Sequence, residues 1–417
     1  MRVNSNTITR TNLTDKIYFT LVFFLGISIS ISTALTSVFA VALLLTFSLS
    51  GDYNSKLKLI KRFYIWPSLT FILLAFISCF YSSIPFTEAL TWVGKFYKLL
   101  IVWVVAYVCY KNPQIINKLL LAFFIGVVFN VVAIFINYYF LNPENAIVFS
   151  GATFPAAQSH FVTGFIFAVA AFMLFSMALT CQNKKKRIFF IILGVIIICA
   201  ELGLNTSRTG YLIEFSVLAI GFLMKFRWKG VLAAIVIVPS IFIAFYHFSP
   251  SFKMRVTEAY NSTINYYNGT ETETSAGIRL GFYHTALGIF EHKPQRIFYG
   301  CGTGEQTQCS MHFINSEISQ EDKKYYQVIN NPHNQYIYFA IQSGIWALAL
   351  FVWLLIAAFY YAKDLPIMMR NNTRIFIIAF AVGCLVNSWI LDIGPGFIFS
   401  FLLPVLFAQR YQNKIQS

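Results

Sequence analysis

Apolar runs of about 17 residues or more recur from Ile17 to Phe407, the length at which a helix rising 1.5 Å per residue crosses the hydrocarbon of a bilayer. Only one sizeable polar stretch, 248–334, interrupts them. A transmembrane β-barrel would instead show segments of about ten residues with alternating hydrophobicity. Composition agrees: 58% of the 417 residues are hydrophobic and 11% charged, whereas soluble domains hold roughly 45–50% and about 25%. The expected fold class is an all-α polytopic membrane protein.

Cutting the runs at polar punctuation predicts about 12 transmembrane helices, near 17–32, 34–50, 63–81, 92–110, 115–139, 161–180, 188–204, 211–224, 230–247, 335–361, 374–391 and 394–409. The first two are separated only by a weak Ser/Thr break between Ser30 and Ser37, so they read either as two short helices or as a re-entrant pair; the parity of the topology favours two. The net charge of +15 invites a nucleic-acid reading, but the basic residues flank spans, where they set orientation. With the N-terminus inside, inward segments hold about 21 of the 31 lysines and arginines, among them Arg2, Lys56, Lys184, Lys225, Arg370, Arg374, Arg410 and Lys414. The outward side then holds Arg208 and the seven basic residues of the long segment, and long loops escape the positive-inside rule.

The expected organisation is therefore a cytoplasmic tail over 1–16, nine spans over 17–247, a periplasmic loop over 248–334, three spans over 335–409 and a cytoplasmic tail over 410–417. No cleavable signal peptide is expected, because the first 16 residues are polar and the apolar stretch after them lacks a small-residue cleavage site. Within the loop, Phe252–Tyr267 and Ile278–Phe290 have helical character, and Gly300, Gly302 and Gly304 predict a turn. Five of the seven cysteines lie in or at the ends of apolar runs and act as small hydrophobes. Cys301 and Cys309 lie in polar sequence and could pair in an oxidising compartment.

Polar residues at membrane depth are expensive, so each is a candidate for function. Three outward-facing clusters stand out. Asn205-Thr206-Ser207-Arg208-Thr209-Gly210 joins two spans and places an Arg at the outer surface, either as a snorkelling helix-end residue or, with Ser207, Thr209 and backbone donors, as a phosphate ligand. Ser275-Ala276-Gly277-Ile278-Arg279-Leu280 opens the second loop helix, where Arg279 either faces water or serves a site. Asn331-Pro332-His333-Asn334-Gln335-Tyr336 begins the span after the loop, on the same side as both arginines. Lys95 and Lys98, three apart and so on one helical face, are either anion ligands or snorkelling anchors. Glu201, Glu214 and Asp392, in or beside spans, could form a proton path. No HExxH, CxxC pair, Walker or Rossmann motif occurs, so the sequence points to no metal and no cofactor.

At these clusters the chain resembles the O-antigen ligase and polymerase superfamily of the bacterial inner membrane. The shared features are a dozen helices, a long late loop, Ser207-Arg208-Thr209-Gly210, Gly277-Ile278-Arg279-Leu280 and His333-Asn334 in the family's order, over Thr206 to about Gly344. His333-Asn334 with Gly344 in the following span looks like the ligase branch, whereas Cys301 to Val328 matches no feature of it. The resemblance implies a GT-C-like architecture and an inverting, metal-independent glycosyltransferase. Its donor would be an O-antigen glycan on undecaprenyl diphosphate, and its acceptor lipid A-core. Arg208 and Arg279 would grip the diphosphate and His333 would act as base or as a third phosphate ligand, with Ser207, Thr209, Asn334, Lys95 and Lys98 as further substrate contacts. The polyprenyl tail would lie in a groove near Lys95, Arg208 and His333. The polymerase branch and the protein O-oligosaccharyltransferases share this pattern. A lipid-linked glycan flippase is a rival of another class, although it would want charges along a path and repeat symmetry; a receptor without chemistry would tolerate neutral residues at all three clusters.

Overall fold

The computed structural model describes residues 5–141, 143–148, 155–156 and 158–408; Arg2 and the tail 410–417, with Arg410 and Lys414, lie outside the described residues. Among the described residues the secondary structure is helical, without strands. The helices are α1 (Ser5–Ser28), α2 (Thr33–Leu49), α3 (Tyr53–Ile60), α4 (Trp66–Ser78), α5 (Phe86–Gly94), α6 (Lys98–Lys111), α7 (Ile116–Phe140), α8 (His160–Thr180), α9 (Lys184–Gly203), α10 (Arg208–Phe226), α11 (Trp228–Phe248), α12 (Pro250–Tyr267), α13 (Ser275–His292), α14 (Arg296–Tyr299), α15 (Gln306–Glu317), α16 (Gln335–Tyr361), α17 (Ile367–Gly383) and α18 (Ile393–Phe407). The chain is an all-α polytopic membrane protein.

Each of the twelve expected spans overlaps a helix, but the helices are not alike. Among the described residues six segments are long and apolar enough to cross a bilayer alone: Phe86–Lys111, Pro113–Phe140, His160–Thr180, Arg208–Phe226, Trp228–Phe248 and Gln335–Asp364. α2 and α3 form a pair bent by 116°, and α4 and α18 are shorter apolar helices. Short or broken elements are tolerated at membrane depth where neighbouring helices cover them, and α18 is buried throughout from Gly394 to Phe407. α1 begins at Ser5, so much of the predicted N-terminal tail is helix.

The hub of the bundle is α8, buried continuously from Val162 to Leu174 and packed on α9, α10 and α17. Lipid tails are as apolar as leucine, so close backbone approach and buried polar contacts hold membrane helices together. Gly164 of α8 meets Gly210 of α10 with the Glu201 carboxylate of α9 wedged between them; a Cβ at Gly210 would collide with Glu201 Oε1 and with the Gly164 backbone. The glycine that ends the Ser-Arg-Thr-Gly element thus sets the crossing that brings Arg208 to the head of α10. By contrast, α11 buries only Gly230 and faces outward.

Two departures from the predicted spans shape the functional end. α16 breaks at Ser343 and Gly344, where Gly344 adopts φ +70° against the backbone of Phe298. The break is sealed by the glycine turn of the loop: Cys301 N–H donates to Ile341 O (2.6 Å) and Gly302 N–H to Gln342 O (3.1 Å). Cys301 of that turn is disulfide-bonded to Cys309 of α15. The predicted span 374–391 is instead helical over Ile367–Gly383, and 384–392 is an irregular segment folded against the start of α16. Side chains capture its backbone: Asn334 Nδ2 and the Tyr283 hydroxyl donate to Leu385 O (both 2.9 Å), Gln335 Oε1 accepts from Ile390 N–H (2.7 Å), and Lys98 Nζ donates to Leu391 O (2.8 Å). These bonds replace the helical ladder that Asn387 and Ser388 would otherwise have carried into hydrocarbon.

Candidate functional site

Arg208 is the first residue of α10, held there by Ser207, whose hydroxyl caps the helix by accepting from Gly210 N–H (2.9 Å). Its Nη2 bonds Glu258 Oε2 at 2.7 Å. The same oxygen takes Arg255 Nη1 at 2.9 Å, and Arg255 Nε donates to Thr206 O (2.9 Å). α12 therefore lays a second guanidinium beside the first, tied to the backbone of the 205–209 turn. Glu258 is 43% exposed at its side chain. Burial pushes its carboxyl up, but the hydrogen bonds from Arg208 and Arg255 outweigh this and hold it below the usual range.

Arg279, one turn into α13, faces the same space. It makes only weak contacts with its own helix, Nη1 to Ser275 Oγ (3.2 Å) and to Ser275 O (3.4 Å). Burial lowers its pKa, and Arg208 and Arg255 lower it further while Tyr283 opposes them. The Nε atoms of Arg208 and Arg279 are buried without a hydrogen-bond partner. His160, at the head of α8, lies within electrostatic reach of all three guanidiniums. Three cations balanced by one partly solvated carboxylate, at the positive end of α10, form an incomplete assembly. It requires an anion.

His333 closes the site from α16. Its backbone sits at φ +48°, left-handed for a non-glycine residue, which costs on the order of 1–3 kcal/mol and persists only where the surroundings fix it. They do so here: Asn331 Oδ1 accepts from His333 N–H (3.1 Å), and Asn334 Oδ1 caps α16 by accepting from Tyr336 and Ile337 N–H (2.9 and 3.1 Å). The imidazole stacks on Phe282 of α13 (6.3 Å between centroids, 26°). Burial, then Arg279, hold the imidazole below the usual histidine range, while a hydrogen bond with Asn387 pulls the other way. Asn387 Nδ2 is spent on Thr209 Oγ1 (3.0 Å), which leaves its oxygen for the imidazole. Nδ1 of His333 is buried and has no partner. One amide thus ties His333 to the Ser-Arg-Thr-Gly element.

The structure brings Arg208, Arg279, His333, Ser207, Thr209 and Asn334 into one constellation, although Ser207 caps a helix, Thr209 holds Asn387 and Asn334 caps α16. Lys95 and Lys98 flank the tightened turn between α5 and α6, where Lys95, Phe96 and Tyr97 N–H donate to the carbonyls three residues earlier, and their side chains have different surroundings. Lys98 is 1% exposed and its Nζ donates to Lys95 O (2.7 Å) and Leu391 O (2.8 Å). It faces Asp392, whose side chain also bonds Asn331. Lys95 Nζ lies over the Trp92 ring, 3.2 Å from its centroid. Of the carboxylates read as a proton path, Glu201 and Glu214 are buried near one another, whereas Asp392 belongs to the surroundings of Lys98. Among the described residues no three His, Cys, Asp or Glu side chains gather as metal ligands.

Sequence reading missed Arg255, Glu258, Tyr283 and Asn387. Asn387 carried a signal, an amide in an apolar stretch; the other three lie in polar loop sequence, where nothing marks them out. Below Arg208 and Arg255 runs an apolar groove of about 440 Å³ between α10, α11 and α12, lined by Tyr211, Phe215, Phe242 and Phe252. Of the residues expected beside a groove, Arg208 lines this one, and Lys95 and His333 do not.

No curated protein matches the chain. Residues 199–352 match the O-Antigen ligase family model, from the end of α9 through both arginine-bearing elements, the loop and the broken α16. Arg208, Arg279 and His333 all lie inside that stretch, so the part of the chain that carries the candidate site is similar to the O-Antigen ligase family.

Proposed function

We propose that the protein is an O-antigen ligase, an inverting glycosyltransferase that moves an O-antigen glycan from undecaprenyl diphosphate to lipid A-core at the periplasmic face of the inner membrane. The observation that carries this reading is the meeting of the Arg208, Arg255 and Arg279 guanidiniums with the His333 imidazole, beside an apolar groove that Arg208 and Arg255 line. A polyprenyl diphosphate has the complementary shape, a long apolar tail with a compact multiple anion at its end. The tail would lie in the groove between α10, α11 and α12, and the diphosphate would meet Arg208, Arg255 and Arg279.

In the reaction the acceptor hydroxyl oxygen attacks the anomeric carbon, the bond from that carbon to the diphosphate oxygen breaks, and the hydroxyl proton passes to His333. With its other nitrogen facing Asn387, Nδ1 is the atom with a lone pair to receive it. The leaving diphosphate carries its own charge and needs no proton; it needs cations that strengthen their hold as charge develops. The guanidiniums supply them, so transfer proceeds without a metal ion. In-line displacement inverts the anomeric centre.

Deletion in the host, followed by separate detection of polymer on lipid A-core and on the carrier, tests this reading. Long polymer stranded on the carrier with bare core is the expected result. Core capped by a single repeat would instead assign the chain to the polymerase branch. Loss of transfer on chelation, restored by a divalent ion, would overturn metal independence.

A further inference from the structure

The end of the bundle remote from the arginines carries a second cleft. The last turns of α8 and α10 and the first turns of α17 part to leave about 390 Å³, walled by aromatic and aliphatic residues such as Phe172, Phe175, Val217 and Ile378. Leu179, Met224 and Phe226 stand exposed at its rim, so the cleft opens at the periphery of the bundle rather than into its core. Four polar residues, Ser176, Lys225, Asn371 and Arg374, interrupt the apolar wall. Ser176 Oγ lines it, buried and without a hydrogen-bond partner. Arg374 reaches it with its guanidinium laid on the Phe359 ring at 5.0 Å, and Arg374 Nε is buried and unpartnered, as is Nε of Arg370 one turn earlier. Lys225 stands at the rim.

None of these three cations forms an ion pair with a carboxylate among the described residues, and no acidic residue lines the cleft. The same end of the bundle gathers Lys184, Lys185, Lys186 and Arg187 in the α8–α9 turn and Arg227 and Lys229 in the α10–α11 turn, the pattern of a face turned to an anionic leaflet. We propose that this cleft is a binding site for an anionic phospholipid, with an acyl chain between α8, α10 and α17 and the headgroup phosphate between Lys225 and Arg374. The unpaired cations select an acidic headgroup over a zwitterionic one, because nothing in the wall neutralises them. Anchored there, the lipid would staple α17 to α8 and α10, the helices that also carry Asn387, His160 and Arg208 at their opposite ends or just beyond.

The test uses the full-length protein, purified and stripped of lipid. Its thermal unfolding is followed with added phosphatidylglycerol, phosphatidylethanolamine or inorganic phosphate, and bound lipid is quantified by mass spectrometry. Phosphatidylglycerol should raise the unfolding temperature and remain bound, while the other two do neither. The double variant K225Q/R374Q should bind it roughly 25-fold more weakly, at about five-fold for each cation. Gly221→Leu fills the cleft from a position with open space around its Cβ and should abolish binding without disturbing the fold. Equal shifts with phosphatidylethanolamine, a shift reproduced by inorganic phosphate alone, or phosphatidylglycerol binding that survives either variant would overturn the proposal.

Discussion

Two cations of this chain, the buried Lys98 and the half-buried Arg279, show how differently a charge can be housed. Lys98 is enclosed, but two backbone carbonyls accept its protons and Asp392 faces it; its environment is complete, and it pins the 384–392 segment to α6. Arg279 is held by marginal contacts to its own helix, keeps an unpartnered Nε and is crowded by two more guanidiniums. Burial with full pairing stabilises a structure; burial with like charges and open donors stabilises a ligand. The difference predicts opposite phenotypes for removing each charge.

The largest effect is expected at His333, the proposed base. His333→Ala should lower transfer by about 10²–10⁴ in a protein that still folds, read as initial rate on reconstituted enzyme. Arg279→Gln and Arg208→Gln should each cost about 10²–10³ in turnover with little change in unfolding temperature. Lys98→Met reverses the pattern: it strands Asp392 and should destabilise the protein by about 3–5 kcal/mol, measured by thermal unfolding in detergent. An inactive but fully stable K98M would break the comparison.

The pH dependence sharpens it. The proposed mechanism needs neutral His333, whose pKa is lowered first by burial and then by Arg279, so the acid limb of the rate profile should fall below the usual histidine value near 6.5. Residual activity of Arg279→Gln should show that limb displaced to higher pH. Asn387→Ala removes the contact that favours the protonated imidazole and should move it to lower pH. The smallest effect is expected at Lys95: Lys95→Gln loses a cation–π contact with Trp92 and should change stability by less than about 1 kcal/mol and transfer hardly at all.

Much of this was legible in the chain, and for identifiable reasons. Continuous apolar runs fix spanning helices whatever their packing, so each of the twelve expected spans overlaps a helix; the two loop helices were visible because Pro250, Ser275 and the spacing of Ile278, Phe282 and Ala286 are local signals. Arg208, Arg279 and His333 stood out because charge beside a span is costly. What sequence could not disclose is which polar residues answer one another. Lys95 and Lys98 are three apart, yet Lys95 lies over the Trp92 ring whereas Lys98 is enclosed and bonds Leu391 O. The stretch 384–391 reads as hydrocarbon-spanning by hydropathy, and only the side chains of α6, α13 and α16 that take its carbonyls and N–H groups make it a loop. Arg255 is unremarkable in a polar helix until α12 folds back on the 205–209 turn.

The central question is whether the arginine cluster holds a lipid-linked diphosphate during transfer. The most direct measurement reconstitutes the purified protein in liposomes with a polyprenyl-diphosphate-linked glycan and lipid A-core, and compares the rate of glycan transfer by wild type and Arg279→Gln at saturating donor. A fall in turnover of at least about 10², with the variant folded and the donor still bound, is the predicted result. Transfer by Arg279→Gln at the wild-type rate would contradict it.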